Sequence, residues 1–146
     1  MNLSKTVQYA IRALLYVHNQ NNADVRILSV HEIADNIGSP KPFTAKILQT
    51  LTKKHILGSS KGPGGGFFSN ELTGQATLYD IIGFHEGEDY HATCILGLPQ
   101  CSDSKPCPIH FQYKLHRCKL NDMFKDNTIQ QLADELSQGK DQFQLL

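Results

Sequence analysis

A glycine-rich segment near the middle of the chain, KGPGGG at residues 61–66, constrains the fold more than any other feature. Residues 56–60 before it are strand-like, and Phe67 and Phe68 follow it. Because glycine adopts positive φ angles without a steric penalty, the segment predicts a tight, bare turn between two antiparallel strands. It lacks the G-x-x-x-x-G-K-[ST] pattern and precedes aromatic residues rather than a helix, which excludes a phosphate-binding loop.

Two short helices with a tight connection are predicted just before this hairpin. A pair of isoleucines four residues apart predicts a helix over residues 30–37, which Ser29 begins and Gly38 ends. Ser39 is expected to cap the next helix, with Pro40 at its first position, where an N–H would be unpaired anyway. The buried face of that second helix repeats at helical spacing: Phe43, Ile47, Leu48 and Leu51. Two such helices followed by a bare hairpin predict a winged helix-turn-helix.

Helical periodicity extends to both sides of this unit. An amphipathic helix is predicted over residues 5–20, and residues 25–28 favour a short strand. After the hairpin, a short helix is expected over residues 77–85. A near-heptad apolar repeat between residues 109 and 123 predicts a helix that lies against a partner helix. A last helix begins near Thr128, and the tail after Gly139 is expected to fray.

The composition, 40% hydrophobic and 19% charged, is that of a globular protein. No apolar run reaches the roughly 18 residues of a membrane span, and the N-terminus lacks a secretory signal, so a cytoplasmic protein is expected. The zero net charge hides an asymmetry: residues 1–73 carry eight Lys and Arg against four Asp and Glu, and residues 74–146 carry six against ten. A basic half joined to an acidic half is typical of a DNA-binding module with a regulatory module.

Four cysteines lie within 25 residues of the C-terminal half, a clustering that indicates metal or redox chemistry in a cytoplasmic protein. Cys94, Cys101 and Cys107, followed by His110, offer three thiolates and one imidazole within 17 residues. Soft thiolates suit an iron–sulfur cluster, and a histidine can complete such a site. Zinc is the chemical alternative, although the close Cys-x2–4-Cys pair of structural zinc sites is absent. Cys118, eight residues beyond His110, is expected to be a buried thiol.

Several motifs occur together in one order: Leu3-Ser4, YAIRAL at residues 9–14, PKPFTAKILQTL at 40–51, KGPGGGF at 61–67, and three cysteines after a short helix. In this order and spacing, over about residues 1–137, the chain resembles the Rrf2 family of bacterial transcriptional regulators. That family includes iron–sulfur cluster regulators and nitric-oxide-sensitive (nitrite-sensitive) repressors. The resemblance implies a mainly α fold with a small β wing, in which a winged helix-turn-helix precedes a C-terminal dimerisation helix.

The family also implies a homodimer that binds double-stranded DNA. The helix after the cysteine loop pairs across a two-fold axis, so each subunit contacts one half of a pseudo-palindromic operator. The chain then divides into a winged helix-turn-helix DNA-binding domain (1–73) and a connecting helix with the cluster-binding loop (74–107). Residues 108–146 supply the dimerisation helix and a C-terminal helix that packs back on the DNA-binding domain.

The second helix of the helix-turn-helix is the expected recognition helix. Four of its residues point away from the buried face: Lys41, Ala45, Lys46 and Gln49. In the major groove, a lysine can donate to guanine or to phosphate, and a glutamine can pair with adenine. Pro42 and Ala45 are expected to contact thymine methyl groups. In the wing, Lys61 matches a basic position of the family. Together with Gly64 and Gly65, it is expected at the DNA backbone or minor groove.

The cofactor that the family implies depends on the fourth ligand. His110 follows the third cysteine at the offset of the histidine ligand in the family's iron–sulfur cluster regulators, which implies a [2Fe-2S] cluster. Relatives with a [4Fe-4S] cluster recruit an acidic residue near the N-terminus of the other subunit, where this chain has Gln8. A [2Fe-2S] cluster is therefore favoured over a [4Fe-4S] cluster. The chain departs from the family pattern in a first cysteine spacing one residue longer and in Thr44, where an apolar residue is usual.

Together these features predict a DNA-binding transcription regulator, a repressor or an activator, that senses redox, iron or nitric oxide status through its cluster. A clusterless winged-helix regulator that uses cysteine thiols or zinc is the alternative, and an iron–sulfur electron carrier is a third interpretation. The sequence has no nucleophile near a credible base and no nucleotide-binding loop. An enzyme with a small-molecule substrate is therefore not expected.

Overall fold

The computed structural model describes residues 3–138, which form mainly helices with one small β-sheet. In chain order the elements are α1 (Lys5–Gln20), α2 (Val30–Ile37), α3 (Lys41–Lys53), β1 (Leu57–Ser60), β2 (Gly66–Ser69), α4 (Leu78–Glu86), a 3-10 helix (Glu88–Ala92), α5 (His110–Asp126) and α6 (Ile129–Gln138). This architecture confirms the predicted mainly α fold with a small β wing. The tail after Gly139, predicted to fray, lies outside the described residues. Within residues 3–138, no helix is both long enough and apolar enough to cross a membrane.

Helix α1 lies at the centre of the hydrophobic core. Its predicted apolar stripe is fully buried at Ala10, Leu14 and Val17. The helix packs against α2, α3, α4 and α6, and the large buried side chains of that core come from all of its neighbours: Leu28, Ile33, Ile37, Leu48, Leu51, Ile81 and Ile129. Each fully buried aliphatic side chain contributes about 1.5–3 kcal/mol. The shared core therefore fixes the position of α3, the expected recognition helix, relative to α1.

Arg12 of α1 anchors the end of α2. Its guanidinium donates a hydrogen bond of 3.3 Å to the carbonyl of Ile37, one of the last carbonyls of α2. The same guanidinium lies 5.6 Å from the ring centroid of Tyr9, which in turn meets the ring of Phe43 edge-on at 5.9 Å. One face of α1 thus contacts both α2 and α3, so these contacts hold the angle between the two helices.

The connection between α2 and α3 differs from the sequence prediction at one residue. As predicted, the Ser29 side chain caps α2, and Gly38 ends it in the left-handed conformation with φ 64°. Ser39, predicted to cap α3, does not, because Pro40 is the capping residue and α3 begins at Lys41. Had Ser39 been the cap, the residue three positions on would have been Pro42, which has no N–H to donate. Among the described residues, the Ser39 hydroxyl is buried and has no hydrogen-bond partner.

The predicted hairpin is present, with β1 and β2 antiparallel and Ser60 opposite Gly66. Gly62 and Gly64 in the turn have φ angles of 87° and 73°, which explains why the turn needs glycine. The strand predicted over residues 25–28 is reduced to a single bridge, in which Leu28 exchanges two hydrogen bonds of 2.8 Å with Phe67. Val25 and Ile27, which precede Leu28, are 72% and 44% exposed and lie outside the pairing.

Gly66 offers a stability test of the wing. A Cβ atom at Gly66 would lie 2.2 Å from the carbonyl oxygen of Leu28, a backbone atom that cannot move without breaking the bridge to Phe67. We expect Gly66→Ala to lower the free energy of unfolding by about 1–3 kcal/mol, measured by urea denaturation. The control Ser59→Ala, in the exposed part of β1, should change it by less than about 0.5 kcal/mol. Equal stability of the Gly66 variant and wild type would contradict the close approach.

The C-terminal helices pack on the winged-helix core from two sides. Thr77 and Asp80 form a capping box that begins α4. Helix α6 lies against α1 and buries Ile129 and Ala133 in the main core. Helix α5 contributes Phe124 to a smaller cluster: Val7, Ile82 and Phe124, with Leu120 packed against them. The cysteine loop between α4 and α5 is therefore attached at both ends to elements that contact α1.

Cys118 is exposed, so the prediction of a buried thiol is wrong. Helix α5 turns Leu120 and Phe124 toward the core, and Cys118 lies on the opposite side of the helix. Phe111 and Leu115, at helical spacing from Cys118, are 62% and 58% exposed. The near-heptad repeat predicted for this helix therefore points partly inward, and a second apolar stripe faces outward.

Candidate metal centre and DNA-binding surface

The loop between the 3-10 helix and α5 brings three of the four cysteines together. The Sγ atoms of Cys94, Cys101 and Cys107 all lie within 4.8 Å of one another, and those of Cys94 and Cys107 are 3.7 Å apart. Each cysteine stands at a backbone turn. The Cys94 carbonyl accepts from the N–H of Gly97 at 2.9 Å, and the Cys107 carbonyl accepts from that of His110 at 3.0 Å. Gly97 has φ 67°, so glycine suits the tight turn after the first cysteine.

His110 is the first residue of α5 and faces the thiols. Its side chain is 7% exposed, and its Nδ1 atom lies 3.1 Å from the Sγ of Cys101. Its Nε2 atom lies 2.8 Å from Oδ1 of Asp103, whose Oδ2 accepts from Nζ of Lys114 at 2.5 Å. The ammonium of Lys114 and, second, the imidazole hold the pKa of Asp103 below its usual value. The carboxylate is thus ionised at neutral pH beside the imidazole.

Backbone groups and neighbouring thiols shift the pKa values of two cysteines in opposite directions. The N–H groups of Leu98 and Leu96, with the thiols of Cys101 and Cys107, lower the pKa of Cys94 to about 7. At Cys101 the N–H of Cys107 favours the thiolate, but desolvation and the two adjacent thiols outweigh it and raise the pKa. Near pH 7 a substantial share of Cys94 is therefore thiolate, which is the form that binds metal.

The donor set and the space around it fit an iron–sulfur cluster. Three thiols converge on one point, and an imidazole nitrogen borders them, as in clusters where histidine replaces cysteine on one iron. Two surface cavities of about 380 and 300 Å³ border Cys101. Of the site predicted from sequence, the structure brings together all four residues, Cys94, Cys101, Cys107 and His110. Their role as ligands remains a prediction.

Sequence reasoning missed the residues that hold the start of the loop. The Arg117 guanidinium of α5 donates to the carbonyls of Ala92 and Thr93, at 2.9 and 3.1 Å, directly before Cys94. Four residues further along α5, the Asn121 side chain donates at 3.0 Å to the carbonyl of His91. These partners are 24 to 30 positions apart in sequence, and no motif marks such pairs.

His91 connects this loop to α4. Its ring is 6% exposed and stacks on Tyr79 at a centroid distance of 3.5 Å. Its Nε2 atom lies 3.0 Å from the Tyr79 carbonyl, and its Nδ1 atom lies 3.3 Å from Oδ1 of Asn121. A continuous set of contacts therefore runs from the residues before Cys94 to α4, which packs against α1 and α3.

The residues predicted to contact DNA lie on the surface of α3 and the wing. Six of these residues are exposed, Lys41, Pro42, Lys46, Gln49, Lys61 and Gly64, and Ala45 and Gly65 are partly exposed. Thr44, whose orientation the sequence left open, is fully buried, and its hydroxyl donates at 3.1 Å to the carbonyl of Pro40. That bond satisfies the hydroxyl inside the core, so a threonine occupies the usual apolar position. Their roles at DNA remain predictions.

Comparisons with known proteins agree with this arrangement. The profile of the Rrf2 family, "Iron-dependent Transcriptional regulator", matches residues 3–135. A putative HTH-type transcriptional regulator of Aquifex aeolicus is 35% identical over 136 residues, which cover 92% of each chain. Both the family profile and this relative are named for the regulation of transcription, not for an enzymatic activity.

Two solved structures share the fold. CymR (YrzC), the global cysteine regulator of B. subtilis, has a TM-score of 0.71 and 17% identity, covering 92% of this chain and 98% of that one. IscR of T. potens has a TM-score of 0.70 and 18% identity, covering 98% of this chain and 94% of that one. At such identities the likeness concerns the winged-helix fold, which these structures confirm.

Proposed function

The chain belongs to the Rrf2 family of transcriptional regulators, and we propose that it acts in the cytoplasm as a homodimeric sensor whose cysteine loop binds an iron–sulfur cluster. The convergence of Cys94, Cys101 and Cys107 within 4.8 Å, beside the His110 imidazole, carries this proposal. The iron-dependent description of the family favours iron over zinc. Three cysteines and one histidine favour [2Fe-2S], because no acidic residue is available at Gln8.

The loop residues would respond to the state of the site through the contacts on either side of it. When bound, the cluster would supply a charge that changes on oxidation or loss. Arg117 and Asn121 hold the chain before Cys94, and His91 stacks on Tyr79 of α4. If the loop lost its order, these contacts would weaken. Helix α4 would then be held less firmly against α1 and α3. The population of DNA-competent dimers would then shift.

The first experiment is the visible absorption spectrum of protein purified without oxygen, with iron and acid-labile sulfide measured on the same sample. We expect thiolate-to-iron bands and about two iron and two sulfide per chain, as the formula [2Fe-2S] requires. Four of each would indicate a [4Fe-4S] cluster instead. A colourless, iron-free protein would refute the cluster while leaving the family assignment intact.

A clusterless regulator is the second candidate, and the short distance between two Sγ atoms favours it. The Cys94 and Cys107 Sγ atoms are 3.7 Å apart, and the lowered pKa of Cys94 favours its thiolate, the reactive form of a cysteine. Loss of both thiols to titration after mild oxidation of iron-free protein, with recovery on reduction, would support thiol sensing. Stoichiometric zinc in the purified protein would instead support a zinc site.

DNA binding by a homodimer requires a surface on which two chains meet, and we propose the outward face of α5. Phe111 and Leu115 are 62% and 58% exposed, and Met123 is 47% exposed on the same helix. Isolated large apolar side chains are common on surfaces, but a stripe of them along one helix marks an interaction site. Two copies of α5 paired on these residues would place one DNA-binding domain, residues 1–73, on each half of a pseudo-palindromic operator.

Leu115→Glu tests this pairing. A buried, unpaired carboxylate in the interface would disfavour the dimer, so we expect the variant to sediment mainly as a monomer at concentrations where wild type is dimeric. Gln138→Glu, which adds the same charge to an exposed position on another helix, α6, is the control and should remain dimeric. A dimeric Leu115→Glu protein would exclude this face.

A further inference from the structure

We propose that Asp103 and Lys114 are positioning residues, which fix the His110 imidazole so that its Nδ1 atom faces the metal centre. This inference rests on the proposed function. It explains two side chains near the cysteines that are not expected ligands. Asp103 lies within the loop between Cys101 and Cys107, and Lys114 lies one helical turn after His110 on α5. The two residues thus approach the imidazole from different elements.

The hydrogen bonds determine which nitrogen of His110 carries the proton. Oδ1 of Asp103 lies 2.8 Å from Nε2, and an ionised carboxylate only accepts hydrogen bonds. The other carboxylate oxygen, Oδ2, lies 2.5 Å from the ammonium nitrogen of Lys114, the contact expected of an ionised aspartate. In the neutral ring Nε2 therefore carries the hydrogen, and Nδ1 keeps a free electron pair. That electron pair points to the thiol group, 3.1 Å from the Sγ of Cys101.

Lys114 keeps the carboxylate in this orientation. Asp103 is 64% exposed, and water would compete for both of its oxygens. The Nζ atom of Lys114 donates a hydrogen bond to Oδ2 at 2.5 Å, so Oδ1 remains available to accept from the imidazole. A turn closed by hydrogen bonds between Ser102 and Lys105, of 3.1 and 3.2 Å, holds the backbone of Asp103.

These contacts position the imidazole more than they stabilise the fold. Exposed ion pairs contribute little to stability, because water screens them. A carboxylate that accepts from a metal-bound histidine, by contrast, fixes its tautomer and makes it a better donor, and its loss costs about 10- to 100-fold in metal affinity. The same pair would lower the reduction potential of a cluster, because a more basic ligand stabilises the oxidised iron.

The test begins without any cluster. In iron-free, reduced protein, nitrogen-15 NMR of His110 should show a protonated Nε2 and an unprotonated Nδ1. Asp103→Ala should give a mixture of the two tautomers. Asp103→Asn, whose amide oxygen still accepts a hydrogen bond, should give a tautomer ratio between those of wild type and Asp103→Ala. Affinity for Co²⁺, followed by its visible absorption in the same apoprotein, should fall about 10- to 100-fold in Asp103→Ala. Asp122→Ala, an exposed carboxylate on α5, is the control and should match wild type in both measurements.

Other outcomes separate this inference from the proposed function. A protonated Nδ1 in wild type, or an Asp103→Ala protein with unchanged tautomer and Co²⁺ affinity, overturns the positioning role. If Asp103→Ala does not fold, the Asn variant and Lys114→Met provide the same comparison. In anaerobically purified protein, Asp103→Asn should raise the cluster's reduction potential. Absence of iron there refutes the cluster, while the tautomer still decides the positioning.

Discussion

Replacing Cys107 with alanine should abolish iron binding in protein purified without oxygen. Cys107 is the least exposed of the three clustered cysteines, at 9%, and its Sγ lies 3.7 Å from that of Cys94. Without it two thiolates and one imidazole remain, too few to hold a cluster. We expect the iron per chain to fall by more than the about 10- to 100-fold that loss of an outer partner of a metal ligand causes. Visible absorption and iron content measure the result.

Cys118→Ala is the matched control, because Cys118 is exposed on α5 and lies outside the cluster of thiols. This variant should keep the wild-type iron content. DNA affinity adds a functional measurement, since the affinity of wild type and Cys118→Ala should change when iron is removed. The DNA affinity of Cys107→Ala should not change when iron is removed. Wild-type iron content in Cys107→Ala would exclude the three-cysteine site.

The second large effect is expected at Lys46 of the recognition helix. Lys46 is exposed near the middle of α3, on the side opposite Ile47 and Leu48, which are buried. In a recognition helix, a lysine there would donate to base edges or phosphates in the major groove, and a good base contact is worth about 1–3 kcal/mol. We expect Lys46→Ala to weaken DNA binding about 10- to 100-fold. It should also reduce the slope of log affinity against log salt by about one per subunit.

The measurement is fluorescence anisotropy at several salt concentrations, on DNA that the wild-type protein selects from a randomised pool. Lys53→Ala is the control, because Lys53 is equally exposed but lies at the last turn of the same helix. A helix that enters the groove with its N-terminal part keeps that turn away from the bases. If both variants lost affinity equally, the loss would reflect general charge, and the assignment of α3 as the recognition helix would fail.

Much of the fold follows from local patterns. The glycines of residues 62–66 predict the hairpin, because the turn requires positive φ angles that other residues rarely adopt. Helix α2 spans Val30–Ile37 as predicted, because a serine cap and a left-handed glycine mark its two ends. Such signals act within a few residues of the chain, so they can be read from the sequence.

Three predictions failed, the first for a local reason and the other two because of packing between distant parts of the chain. Ser39 is buried and does not cap α3, because Pro40 is the capping residue and Pro42, three positions after Ser39, has no N–H to donate. The strand predicted before α2 is reduced to Leu28, which forms a single bridge with the distant Phe67. Cys118 faces outward because Phe124 and Leu120, not the cysteine, take the inner side of α5.

By itself the sequence determined the winged helix, the family, and the set of cysteines and histidine at the candidate centre, because spacing and residue type are local properties. Only the tertiary structure decided how that centre is supported. Asp103 and Lys114 meet at His110 from a loop and a helix, and Arg117 reaches back to the residues before Cys94. These partners lie up to 25 positions apart. Their meeting depends on how α5 packs against α4, which no local pattern encodes.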